Sequence, residues 1–178
     1  MYTETMAART RKLIDPGSRA PDFRLPRLDG GPAGGPAGSP VGGKVTLQEL
    51  VSNGPLLLAF FKISCPVCQF TFPFLERLHA SGSLPIFGIS QDDAEDTREF
   101  NREFGVTFPT LLDSEESGFP VSNDYGISTV PTLFLVEPDG AVSHVIEGWN
   151  KKEIAWLGGK AGVNPFRQGD NVPEWKAG

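Results

Sequence analysis

Cys65-Pro66-Val67-Cys68 contains both cysteines of the 178-residue chain. The pair follows the apolar run Leu56–Phe61 and the short link Lys62-Ile63-Ser64, and Pro66 suits the first turn of a helix. Two thiols one helical turn apart can close into a disulfide. A helix N-terminus, with its unpaired N–H groups and partial positive charge, favours a thiolate at its first residue. Cys65 at the cap is expected to be exposed and to attack a substrate disulfide. Cys68, one turn in and more buried, is expected to resolve the mixed disulfide. Lys62 is the nearest cation in sequence and a candidate modulator. A structural staple fits poorly, because so short a loop removes little unfolded-state entropy. Zinc would need two more ligands, and His79 and His144 have no finger-like spacing. Reversible dithiol/disulfide chemistry is therefore the expected activity, with no cofactor and no metal.

The background composition narrows the partners. A net charge of −6 and a pI of about 4.9 argue against nucleic-acid binding by bulk electrostatics. Leu56–Phe61 is far too short to span a bilayer, so no membrane partner is expected. Leu13-Ile14 runs straight into Asp15-Pro16-Gly17, without an apolar stretch of signal-peptide length, and the expectation is a cytoplasmic protein.

The elements that must position the dithiol follow from hydrophobic periodicity. Pro21–Leu25 alternates as a short edge strand would, and the GGPA-repeated stretch 30–43 predicts neither helix nor sheet. Val45-Thr46 leads into a short helix, Leu47 to Ser52. Leu56–Phe61 reads as a strand covered on both faces. A helix from Pro66 to His79 shows a stripe of Phe70, Phe74, Leu75 and Leu78, with Pro73 as a kink. Leu84–Ser90 is the next strand, which completes a βαβ unit. Asp92–Phe104 is an amphipathic helix, Val106–Asp113 a further strand, and Thr132–Val136 with Ala141–Ile146 a hairpin about Glu137-Pro138-Asp139-Gly140. A last helix spans Lys151 to Lys160, and in the polar tail Phe166 and Trp175 are the residues able to dock on the body.

Thr129-Val130-Pro131-Thr132 stands directly before the hairpin. Ala20-Pro21-Asp22-Phe23, the CPVC after a buried strand, Val130-Pro131-Thr132 and the Pro138-Asp139-Gly140 turn occur in that order. Together they resemble the thioredoxin superfamily, in the redoxin branch shared by thiol-disulfide oxidoreductases and alkyl-hydroperoxide-reductase-type peroxiredoxins, over about residues 18–160. The resemblance implies an α/β thioredoxin-like fold: a central mixed β-sheet flanked by helices, with an N-terminal extension and an extra strand-helix insertion. It divides the chain into a flexible segment 1–17, a redoxin domain 18–160 with a Gly/Pro-rich loop 29–43, and a tail 161–178. It also implies a cis Pro131 packed against the cysteines. Val130, Pro131 and Pro66 are then the substrate-binding candidates, and the partners are a protein or small-molecule disulfide and a thiol reductant system.

The chain departs from the pattern at several positions. Ser64 stands where similar oxidoreductases place tryptophan, Ala59 where thioredoxins carry a buried acid, and Thr71 where relatives often have glutamate. No obvious general base for Cys68 survives, so assistance must come from water or from elsewhere in the chain. The alternative that the resemblance offers is a peroxiredoxin-like peroxidase, with Cys68 peroxidatic and Cys65 resolving. Against it, Phe61 replaces the upstream proline of the peroxidase motif, and Val130-Pro131 replaces an arginine-bearing segment.

Overall fold

The computed structural model describes residues 12–28, 41–81 and 83–178. Residues 1–11 of the expected flexible segment and residues 29–40 of the Gly/Pro-rich loop lie outside the described residues.

The strand ahead of the cysteines, β3 (Leu56–Phe61), is buried along its whole length, as its unbroken apolar sequence requires. It pairs in parallel with β4 (Ile86–Ser90), and β4 pairs in parallel with β5 (Thr110–Leu112). On its other side β3 pairs antiparallel with β6 (Thr132–Val136), the first arm of the hairpin closed by β7 (Val142–Glu147). Beyond β5 come β1 (Arg24–Leu28) and β2 (Val41–Thr46), which gives the order β2-β1-β5-β4-β3-β6-β7.

The period-two alternation of β3 sorts the core into two layers. Leu57, Ala59 and Phe61 face the cluster that contains the cysteine-bearing helix α2 (Pro66–Ala80), Phe100 of α3 (Ala94–Glu103), and Ile154 and Leu157 of α5 (Lys151–Ala161). Leu56, Leu58 and Phe60 face the cluster that contains α1 (Leu47–Val51) and α4 (Pro120–Tyr125). Each fully buried Leu or Phe stabilises the fold by roughly 1.5–3 kcal/mol, so β3 is anchored from both sides. Between β4 and the hairpin the chain runs through α3, β5 and α4. Among the described residues no helix is long and apolar enough to cross a membrane.

Several expectations need correction. The first strand begins at Arg24, three residues past Pro21, and is not an edge: β2 covers it. That covering strand starts at Val41, so Val41–Gly43 of the expected loop belong to a strand, with Val41 opposite Leu28 across a shift in register. The strand before α3 starts at Ile86, because Pro85 has no N–H to donate; its carbonyl still accepts from Leu57 N at 2.9 Å. Pro109 likewise shortens β5 to three residues, its carbonyl accepting from Gly88 N at 2.9 Å. α2 continues to Ala80, one residue past the expected end. α4 is missing from the sequence expectations, since six residues are too few to show a helical period. In the expected N-terminal segment, Ile14 N donates to Tyr125 O and Gly17 N to Val142 O.

Candidate active site

The end of β3 and the start of α2 are joined by Lys62–Ser64, and this link is held from both directions. Gln69 Nε2 on α2 donates to Ile63 O at 2.8 Å. From the end of β4, Asp92 Oδ2 accepts from Ile63 N at 2.8 Å. Cys65 is the N-cap of α2: its backbone is extended, with φ −83° and ψ 115°, and its Sγ accepts from the N–H of Cys68 at 3.3 Å. The Cys65 thiol is partly exposed and donates to Val130 O at 3.3 Å.

Cys68 is wholly buried, and both thiols are free. Burial is the foremost reason that its thiol is pushed far above the usual range; the hydrogen bond to Cys65 and the charges of Cys65 and Asp92 push the same way. The Lys62 backbone N–H, facing the sulfur, opposes them. Asp92 is also pushed above the usual carboxylate range, first by burial, while the Ile63 N–H and the Lys62 cation pull it down. One link thus bears on both groups: the Ile63 amide donates to Asp92, and the Lys62 amide favours the ionised Cys68 sulfur.

The Val130–Pro131 peptide is cis, and Thr132 Oγ1 donates to Thr129 O at 2.8 Å beside it. A groove of about 300 Å³ opens here, lined by Lys62, Gln91, Phe119, Thr129 and Val130 among others. The sequence candidates Cys65, Cys68, Lys62 and Val130 thus converge on one end of the sheet. Pro66 sits exposed on the first turn of α2, and Ser64 is exposed in the link. Thr71 lies one turn beyond Cys68, fully buried, with an Oγ1 that has no hydrogen-bond partner. Ala59, in the place of the thioredoxin acid, faces the Cys68 layer and pairs with Gly88 and Leu133.

Asp92 escaped the reading of the sequence. The expected helix began at Asp92, but Asp93 is its cap, accepting from Asp96 N at 2.8 Å. One carboxylate suffices for a cap, and the second of the adjacent pair Asp92-Asp93 was the available signal. Asp92 N donates to Ser90 Oγ, itself 2.7 Å from Thr97 Oγ1, which turns the carboxylate toward the cysteine link. The two tail residues singled out in the sequence both meet the body: Phe166 packs on Phe74 and Trp149, while Trp175 joins the small antiparallel pair β8 (Trp149–Asn150) and β9 (Trp175–Lys176) and stays largely exposed.

The thiol-disulfide oxidoreductase ResA of Geobacillus thermodenitrificans is 28% identical to this chain over 141 residues, 77% of the chain and 72% of the relative. ResA of Bacillus subtilis is 27% identical over 142 residues, 78% and 70% of the two. The solved thioredoxin domain of a thiol-disulfide oxidoreductase from Bacteroides vulgatus superposes with a TM-score of 0.65 at 21% identity, covering 85% of this chain and 99% of that one, a likeness of fold. The sequence matches the AhpC/TSA family over residues 16–145, from ahead of β1 into β7. An oxidoreductase with a thioredoxin-like fold, the chain belongs to the AhpC/TSA family, in the redoxin branch of the thioredoxin superfamily.

Proposed function

We propose that the protein is a thiol-disulfide oxidoreductase in which Cys65 is the attacking thiolate and Cys68 the resolving thiol. The supporting observation is the asymmetry of the pair: a partly exposed sulfur caps a helix and accepts at 3.3 Å from the backbone N–H of Cys68, whose own sulfur is buried. Cys65 sulfur attacks one sulfur of a substrate disulfide, forming a mixed disulfide as the other substrate sulfur leaves as a thiolate and takes a proton. Cys68 then loses its proton and attacks Cys65 Sγ; the Cys65–Cys68 bond forms, and the second substrate thiol is released. Two electrons pass to the substrate, and an external dithiol must return them. An extended substrate segment would run beside Val130 and pair with its backbone.

A buried thiol ionises too rarely near neutrality to attack without help. Asp92 fills the vacancy at Ala59 and Thr71: its raised pKa suits proton exchange nearer neutral pH, and its charge reaches Cys68. In this reading it accepts the Cys68 proton during resolution. The peroxidase alternative would require peroxide to reach Cys68, which is 0% exposed.

The test compares insulin-type disulfide reduction with peroxide consumption in Cys65→Ser and Cys68→Ser. The proposal expects Cys65→Ser to lose disulfide reduction and Cys68→Ser to accumulate a mixed disulfide. Peroxide turnover that survives in Cys65→Ser and disappears in Cys68→Ser would overturn it.

A further inference from the structure

The segment after α5 folds back across the end of the molecule that carries the dithiol. Arg77 of α2 anchors it, its Nη1 lying 2.7 Å from Asp170 Oδ2 and donating to Pro165 O at 2.8 Å. Trp149 Nε1 donates to Pro173 O at 2.7 Å, and Lys151 N donates to Glu174 O at 2.9 Å. β9 then pairs with β8, and the Lys176 ammonium lies 5.6 Å from the centre of the Phe70 ring on α2. These contacts lead the chain to Gly178, which meets the Val130 carbonyl. A Cβ built on Gly178 would stand 2.6 Å from Val130 O, 3.1 Å from its carbon and 3.5 Å from Gly148 Cα. The Val130 oxygen is also the acceptor for the Cys65 thiol.

Only a residue without a side chain approaches a backbone carbonyl so closely, and Gly148 opposite is also bare, with φ at +68°. A Cβ on Gly148 would run into Lys176 O. The two glycines let the segment lie within the backbone edge that an extended substrate would use to reach Cys65. From this placement we infer that residues 175–178 form a specificity-determining wall of the dithiol site, which a protein substrate must displace while a small disulfide reaches Cys65 past it. The inference rests on the oxidoreductase reading. On the outer side of the wall a groove of about 450 Å³ remains, lined by Thr129, Glu147, Asn150, Trp175 and Gly178 among others.

Gly178→Val tests this in the full chain, because the new side chain cannot share space with Val130 O and the segment must lift. Two measurements are made on each protein. The first is the rate of Cys65 alkylation by a bulky maleimide relative to iodoacetamide. The second is kcat/KM for insulin relative to a small aromatic disulfide. Both ratios are expected to rise about fivefold, the scale of one net hydrogen bond, and the Lys151 amide should exchange its hydrogen faster as its bond to Glu174 O opens. Unchanged ratios, or equal changes for the large and the small reagent, overturn the wall. A raised alkylation ratio with no disulfide reduction by either protein leaves the wall standing and removes the oxidoreductase reading.

Discussion

On the α2 side of the sheet, Cys68 is enclosed in a layer rich in aromatic rings: Phe61 lies 4.4 Å from Phe72 and 5.0 Å from Phe100, and Phe72 lies 5.6 Å from Phe108. At the α4 end of the opposite layer, Asp113 is equally buried but accepts from Val121 N at 3.2 Å and Ser122 N at 2.6 Å. Its neighbours are satisfied too. Gln91 Nε2 donates to Ser122 Oγ at 3.0 Å, and Tyr125 donates to Pro21 O at 2.8 Å. Both layers thus bury polar groups, but only one completes their hydrogen bonds. A fully bonded polar cluster specifies structure, whereas a thiol held in an apolar layer is kept protonated until its partner sulfur needs it. The difference separates a layer that holds the fold from one that stores the proposed resolving thiol.

Removing the thiol proposed to start the cycle breaks the comparison most severely. Cys65→Ser should lower disulfide turnover by about three orders of magnitude, to the uncatalysed background. Its melting temperature should stay near that of the unmodified protein, since a partly exposed sulfur contributes little to the core. Stopped-flow turnover and calorimetry together check the pair of outcomes. Asp113→Ala should do the reverse. It strands the amides of Val121 and Ser122, and the expected cost is about 3 kcal/mol of unfolding free energy. Denaturant titration measures that loss, while turnover per folded molecule should remain at the level of the unmodified protein.

The sequence made one of these layers far more legible than the other. Leu56–Phe61, the helix from Pro66 and the Cys65 cap could be read because long apolar runs and a proline-marked helix start are local signals. So could the hairpin about Pro138-Asp139-Gly140. The pairing of Asp113 with α4 could not be read, because it joins a strand end to a six-residue helix whose cap, Phe119, sits at a φ of 53° and carries no polar side chain. Asp92 was hidden for a related reason. A carboxylate at a helix start looks like a cap, and only the tertiary placement of Ile63 N shows that it has another partner. The wall at residues 175–178 joins positions about twenty-five to fifty residues apart through backbone contacts, and those leave no trace in residue type beyond two glycines.

Asp92→Asn sharpens the comparison at the boundary between the layers. Acting only as a charge, Asp92 raises the Cys68 pKa, so its neutralisation would ease thiolate formation and quicken resolution. Acting as proton acceptor, its loss slows resolution. We expect the second outcome: about tenfold slower near pH 7, with the gap closing as pH rises through the ordinary thiol range and hydroxide takes over. Stability distinguishes this from damage to the fold. Folded Asp92 holds its proton more tightly than the unfolded chain does, so its contribution to stability is fully present below the ordinary carboxylate pKa and declines as pH rises through the folded value. The variant should therefore be at least as stable at neutral pH. Single-turnover decay of the mixed disulfide across pH, beside thermal melts, checks both.

The smallest expected effect belongs to Thr71, which among the described residues carries the one buried hydroxyl without a partner. Valine has nearly the same shape and no group to desolvate, so Thr71→Val should raise stability by up to about 1 kcal/mol. Asp113→Ala moves stability the other way, although both changes delete a buried oxygen; the sign depends on whether that oxygen had partners to strand. If Thr71 only fills space behind Cys68, resolution should keep its rate and its pH profile in the valine variant. A slower step in Thr71→Val with the profile displaced to higher pH would mean that the hydroxyl turns toward the Cys68 sulfur during exchange. The α2 layer would then hold a polar contact in use, and its contrast with the Asp113 layer would narrow to a difference in timing.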